Sequence, residues 1–235
     1  MVAMQLRDPE VRPGQFLLRE THSWQLSSVM SVDRNGSLHD PGLVRKVEHR
    51  SRTWIPADFE QEWVQLRITT GAYEWVRGDE QRGREFGLDP VVPETAVHRA
   101  PRGEFFGAHP GGWMTPNPEW LAALPADREE LYRKLRADTA GRGRDPDLQV
   151  VVYATAALRS GIVPAPVRST IYQALALVPG MVVTETSFRL SRAGTTTELE
   201  LDPDTGLVVA EHDQSGDLPR TTTTTRTLVV DEIVY

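Results

Sequence analysis

From Gly14 to Trp24 the chain reads GQFLLRETHSW, rich in β-forming residues and preceded by a Pro13-Gly14 break, which predicts a first strand. Val44–Ile55 and Glu62–Val76 follow as two further strands. In the latter, Val64, Leu66 and Ile68 alternate with Gln65, Arg67 and Thr69, the pattern of a half-buried antiparallel strand with one packed and one wet face. Between the first two strands Asn35-Gly36 offers the residue types of a tight turn with positive φ. Residues 77–118 break the pattern with seven glycines and six prolines in 42 residues, and they read as one long loop, functional or mobile.

Helical periodicity begins after that loop. Asp127-Arg128-Glu129-Glu130 is a capping-box variant leading into Leu131 and Leu135, with Gly141 as the stop. Asp145-Pro146 opens a second helix whose apolar positions Val150, Tyr153, Ala154, Ala157 and Leu158 keep helical spacing as far as Gly161. A third runs from Ala165-Pro166 to Pro179-Gly180 through Val167, Ile171, Ala174, Leu175 and Val178. Strand patterning then returns at Met181–Leu190, Thr195–Leu201, Leu207–Ala210 and Thr221–Val234, with Asp202-Pro203-Asp204-Thr205-Gly206 as a hairpin turn. The order strands, loop, helices, strands predicts an α+β fold: a curved, half-barrel-like antiparallel sheet with about three helices inserted between its N- and C-terminal strands and packed on one side. On this reading residues 1–13 are a tail, 14–235 a single domain, 77–118 a loop and 119–180 a helical insert.

Composition narrows the picture. Hydrophobic residues make up 39% and charged residues 25% of 235, ordinary for a globular chain, and no apolar run approaches the ~20 residues of a membrane span. The absence of cysteine excludes disulfides, thiolate metal sites and cysteine nucleophiles. A net charge of −7 argues against nucleic acid as a partner. Only Lys46 and Lys134 are lysines among the 26 basic residues, a bias that points to a GC-rich genome.

Candidate chemistry is sparse. Glu20 and His22 would share a strand face and so could hold a metal, although a hydrogen-bonded surface pair explains them more simply. His98 and His109 lie in the Gly/Pro-rich stretch and meet only if the fold brings them together. There is no G-x-S-x-G elbow, and Gly78–Gly83 carries acids where a phosphate cradle would have none. No catalytic residue, metal ligand or cofactor is therefore expected. The tryptophans are the more promising set. Core anchoring is the simpler account of them; the functional alternative is an aromatic-lined cavity on a concave sheet face built from Trp24, Trp54, Trp63, Trp75 and Trp113.

Five segments in order carry a family resemblance. They are Gly14-Gln15-Phe16-Leu17, Arg52-Thr53-Trp54-Ile55, Leu121 to Arg136 around Leu124-Pro125-Ala126-Asp127, Val163-Pro164-Ala165-Pro166-Val167-Arg168 through Pro179-Gly180, and Leu201-Asp202-Pro203-Asp204-Thr205-Gly206-Leu207. Together they resemble actinobacterial proteins with a short cytoplasmic N-terminus, one membrane span and an extracytoplasmic domain, often encoded beside extracytoplasmic-function sigma factors. Asp58-Phe59 and Asp127-Arg128 depart from the family's usual Asp-Gly and Asp-Pro. More remotely the layout is similar to the LolA/LppX/RseB lipoprotein-binding half-barrels. The resemblance implies an extracytoplasmic, non-enzymatic binding or sensing domain, attached to the membrane only through an N-terminal anchor outside this sequence. Its implied partners are a lipid or other hydrophobic ligand or, alternatively, a membrane protein or anti-sigma factor met by a regulatory module. An unrecognised hydrolase is the remaining alternative.

Overall fold

The computed structural model describes residues 6–28, 31–32, 38–40, 42–143 and 145–235. The Asn35-Gly36 turn lies outside them. The fold is α+β, with a curved, open, antiparallel sheet of nine strands and helices on one face. In chain order the elements are β1 (Phe16–Ser28), β2 (Ser31–Val32), β3 (Leu38–His39), β4 (Val44–Pro56), β5 (Glu62–Arg77), α1 (Glu80–Glu85), β6 (Glu94–Pro101), α2 (Pro118–Ala122), α3 (Arg128–Asp138), α4 (Pro146–Arg159), α5 (Ala165–Leu175), β7 (Val182–Val183), β8 (Ser187–Arg192), β9 (Thr195–Leu201), β10 (Val208–Ser215) and β11 (Thr221–Val230). The sheet order is β6-β5-β4-β1-β11-β10-β9-β8-β7, while β2 and β3 pair separately. The first and last long strands are thus central neighbours, and β6 and β7, consecutive in the chain, occupy opposite edges.

That topology dictates the helical layer. The segment joining β6 to β7 must cross the sheet, and α2 to α5 do so over the face carrying the odd-numbered side chains of β1, β4 and β5. There Leu17, Ile55, Trp63, Phe188, Leu190, Leu199 and Leu201 pack with Leu131, Leu135, Val150, Ala154, Leu158, Ile171 and Leu175 in the main core. A smaller cluster lies on the opposite face: Leu18, Trp54, Val64 and Leu66, joined by Phe16, Ile68, Leu228, Val230 and Ile233. Val64 and Leu66 are packed as expected, but beneath the C-terminal segment and not the helices. Gln65, Arg67 and Thr69 face the helical side.

Several sequence expectations change. Residues 77–118 are not one loop. Asp79 caps α1 by accepting from the Arg82 N–H at 2.9 Å, and β6 pairs with β5 from Glu62↔Pro101 to Thr69↔Glu94. Because β6 is an edge strand, unpaired on one side, Pro93 before it and Pro101 at its end are compatible with the ladder. Met181–Leu190 is a hairpin rather than one strand: the Thr184 N–H donates to the Ser187 carbonyl at 3.0 Å and divides β7 from β8. Five helices stand where about three were expected, the additional ones being the short α1 and α2.

The described part of the expected tail, residues 6–13, is also part of the fold. Leu6 and Val11 pack on the main core. Helix α5 begins at Pro164 without a side-chain cap of its own, and the Asp8 carboxylate supplies one, accepting from the Ala165 N–H at 3.0 Å. Arg168, 1% exposed, donates to Asp8 and to the carbonyls of Arg7, Val163 and Thr205. One turn on, the Tyr172 hydroxyl donates to the Gly206 carbonyl at 2.6 Å. Gly206 sits at φ +66 with Leu6 so close that a Cβ would lie 2.5 Å from it. Arg168→Met takes their side-chain donor from the carbonyls of Arg7, Val163 and Thr205 and leaves Asp8 only the Ala165 N–H, and should lower the unfolding free energy by about 3 kcal/mol in denaturant melts. Asp8→Ala should cost about 1 kcal/mol as a lost cap; an unchanged midpoint for both would show that the segment is not anchored in this way.

Candidate functional site

Where the helices end, the helix-side face changes character. Strand periodicity places Thr21, Ser23 and Gln25 of β1, His49 and Ser51 of β4, Gln65, Arg67 and Thr69 of β5 and Thr223 of β11 on this face. Register brings them side by side: Thr21 is opposite Ser51, Ser23 opposite both His49 and Thr223, Ser51 opposite Arg67 and His49 opposite Thr69. They floor an open groove of about 560 Å³, to which α4 contributes Arg159. A second stretch of about 570 Å³ shares Gln25, His49 and Thr69 and continues it to Ser27, Val47, Arg45 and Val91. The two form one trough along the central strands. Among the described residues, none of the side chains lining either stretch is a carboxylate.

The floor is held by weak, local hydrogen bonds. Gln25 Nε2 donates to Ser23 Oγ at 3.4 Å, Thr69 Oγ1 and His49 Nδ1 are 3.4 Å apart, and Arg67 Nε donates to Gln65 Oε1 at 2.7 Å. The Arg67 guanidinium lies 5.1 Å from the ring centroid of Phe106, which is 80% exposed, and it has no carboxylate partner among the described residues. At the far end Arg45 is 9% exposed and stacks 5.3 Å from Tyr73 and 5.8 Å from Trp75. It donates through Nη1 to the Asp89 carbonyl at 2.7 Å, while its Nε has no hydrogen-bond partner.

At the near end Arg159 is the last residue of α4, 3.4 Å from Glu211. Burial raises the Glu211 carboxyl pKa, with Asp213 adding to the shift and Arg159 opposing it. Arg19 runs beneath the turn at Gly161, where φ is +76 and a Cβ would meet Arg19 Cδ at 2.3 Å. Burial first, and Arg159 beside it second, depress the Arg19 pKa to about 10, so it remains charged at neutral pH. Two arginines and the Glu211 carboxyl, with Asp213 beside it, therefore bound this end.

The opposite face carries a second shallow groove of about 580 Å³, whose charges are mostly paired internally: Arg52 with Glu20 at 3.0 Å and Arg50 with Glu48 at 2.9 Å. Glu48 also accepts from Thr70 Oγ1 at 2.6 Å and lies 2.7 Å from His22 Nε2. The Thr70 hydrogen bond first, then those of Arg50 and His22, pull the Glu48 carboxyl down to about 2. Glu20 and His22 thus engage separate partners rather than one another.

The five tryptophans do not line one cavity. Trp24 and Trp54 lie on the face away from the helices, Trp24 beneath Lys46 and Trp54 buried edge-on to Tyr235 at 5.9 Å. Trp63 and Trp113 are in the main core, their ring N–H groups donating to the Phe59 carbonyl and to Asp138. Trp75 alone adjoins the trough, through Arg45. His98 is exposed on edge strand β6, while His109 Nδ1 accepts from the Gly111 N–H at 3.3 Å. No group of three His, Asp or Glu side chains suited to a metal occurs among the described residues, and no helix there is long and apolar enough to cross a membrane. Sequence reading passed over the trough because its Ser, Thr and Gln look like solvent-facing strand positions. The available signal was that Gln65, Arg67 and Thr69 alternate in step with Thr21, Ser23 and Gln25 on strands of the same sheet. No family model, curated protein or solved structure matches the chain.

The depressed Glu48 carboxyl makes stability fall as pH drops from the ordinary value of 4.5 through about 2, since its bonding favours the charged form and is lost on protonation. Glu48→Gln should lower the melting temperature at neutral pH and flatten the acid limb of stability against pH over that window; an acid limb identical to that of the parent would mean the network has no such role.

Proposed function

We propose that this chain is a non-enzymatic binding domain whose ligand lies in the trough on the helix-side face of the sheet. One observation carries this reading: a continuous recess on the central strands is lined by hydroxyls, amides, imidazole and guanidinium groups, with no carboxylate, in a chain of net charge −7. Catalysis of hydrolysis or transfer by side chains alone calls for an acid–base pair or an activated nucleophile, and the hydroxyl–imidazole pair on the floor, Thr69 and His49 at 3.4 Å, has no lining carboxylate among the described residues to orient the imidazole. The apolar half of the same face is filled by α3, α4 and α5, which favours a polar ligand over the hydrophobic one that the family resemblance implies. The setting implied by that resemblance, outside the membrane on a tether, is the one we propose for it, since polymers of the cell envelope would be accessible there.

Amide chemical-shift mapping with maltohexaose and oligogalacturonate as polar probes and oleate as the apolar one tests the proposal. Either oligosaccharide should shift Thr21, Ser23, His49, Ser51, Thr69 and Thr223, with oleate leaving them unmoved. Shifts from oleate alone would replace this reading with hydrophobic carriage, and no shift from any probe would sink both.

A further inference from the structure

Resting on that trough as the binding site, we infer that its ligand is an acidic polysaccharide, lying along β4 and β1 with its anionic groups on Arg159, Arg67 and Arg45. The arginines mark the two ends and one wall of the recess. From Arg45 to Ser51 the strand extends on the order of 20 Å at ~3.3 Å per residue, the reach of a chain of several units and more than a single small anion needs. Charge supplies the first argument. Arg67 has no carboxylate partner among the described residues, Arg45 has a buried Nε without a hydrogen-bond partner, and Arg159, 3.4 Å from Glu211, lies beside a second cation, Arg19. Acids beside the floor are Glu211, with Asp213 next to it, and Glu94, opposite Thr69 on the edge strand. In so acidic a chain these cations concentrate positive potential where anionic groups would sit, and guanidinium forks bind carboxylate and phosphate oxygens through paired N–H groups.

The floor supplies the second argument, and it separates a glycan from an acidic peptide. Around Thr21, Ser23, His49, Ser51 and Thr69, strands β11, β1, β4 and β5 are each paired on both sides, so over this half of the floor an incoming peptide would find no free edge to extend. What the floor presents instead is a carpet of side-chain hydroxyls and amides, both donors and acceptors, the complement of sugar hydroxyls. Phe106, 80% exposed above Arg67, adds a bare aromatic face at the border on which a sugar ring can stack.

Isothermal titration with an oligogalacturonate, a neutral dextran fragment of similar length, polyglutamate and polyphosphate decides the matter. The acidic oligosaccharide should bind at least tenfold more tightly than dextran, and the advantage should shrink with added salt. Arg67→Gln, on an exposed strand position outside the core, should remove about tenfold of that affinity and flatten its salt dependence; Arg159→Gln should do the same, and Arg67→Gln keeps the test intact should Arg159→Gln fold poorly. Equal affinity for dextran and oligogalacturonate, insensitive to salt and to both variants, would overturn the anionic ligand and leave the polar trough standing. Polyglutamate or polyphosphate binding as tightly as the oligogalacturonate would overturn the sugar. No binding by any of the four would remove the trough itself as a site.

Discussion

The two edge strands of the sheet, β6 and β7, are consecutive in the chain, so the intervening segment has to traverse nine strands, on the order of 40 Å at ~4.8 Å per strand. Much of the remaining architecture follows from this. A traverse of that length cannot run as bare loop over an apolar surface without burying unpaired backbone groups, and helices satisfy those groups internally while presenting an apolar stripe. Where α3, α4 and α5 cross, the sheet offers Leu17, Ile55, Trp63, Leu190 and Leu199, and the layers close. Where the same face offers Thr21, Ser23, Ser51 and Arg67, closure would strip water from polar groups without replacing their hydrogen bonds, at about 1–3 kcal/mol each. The helices stop at that frontier, and the trough is what they leave.

Fixing the traverse in place depends on a contact of very long sequence separation. Arg168 gathers the N-terminal segment, the start of α5 and the β9–β10 hairpin around one guanidinium, and each partner is a backbone carbonyl or a carboxylate. Burying a cation so completely is tolerable only because nearly all its donors are used, the exception being Nε. The Tyr172 hydroxyl on the Gly206 carbonyl repeats the tie one turn later. Helix α5 is thereby locked to the hairpin, and α4, packed in the same core as α5, brings Arg159 to the mouth of the trough.

How much of this could be read from the sequence divides along physical lines. Local signals were sufficient for the capped helices at Asp127 and Asp145, whose side chains do accept from Glu130 and from Asp147 and Leu148, and for the Asp202–Gly206 turn, where Asp202 accepts from the N–H groups of Asp204 and Thr205. Period-two alternation found β5 and its packed residues, but it could not say which partner would cover them, because alternation fixes a face and not its neighbour. Val64 and Leu66 went beneath the C-terminal segment for that reason. Strand β6 was hidden by prolines that are damaging in a central strand and harmless on an edge, a distinction that exists only once the sheet order is known. Asp8 looked like part of a tail because its partner lies 160 residues away. The tryptophans, chosen for their size, proved to be spent on three separate packing tasks.

The polar end of the face is where local consistency fails, and the failure has a direction. Arg19 and Arg159 lie near each other, with Glu211 3.4 Å from Arg159, and burial with like charge depresses Arg19 to about 10. A shift in that direction means the folded state disfavours the charged arginine relative to the unfolded chain, so the arrangement subtracts from stability. Glu211, buried and raised, leans the same way, because its surroundings favour the uncharged form. A fold selected only for stability would replace such a cluster by apolar side chains that continue the helix-packing surface, as the positions of Leu17 and Ile55 on the same strands already do. An incoming anion reverses the sign: it relieves repulsion between the arginines and shares the load that Glu211 carries alone. The same cations that weaken the free domain would therefore strengthen the complex, which is the physical reason for placing the proposed function at this end of the sheet and not in its well-packed half.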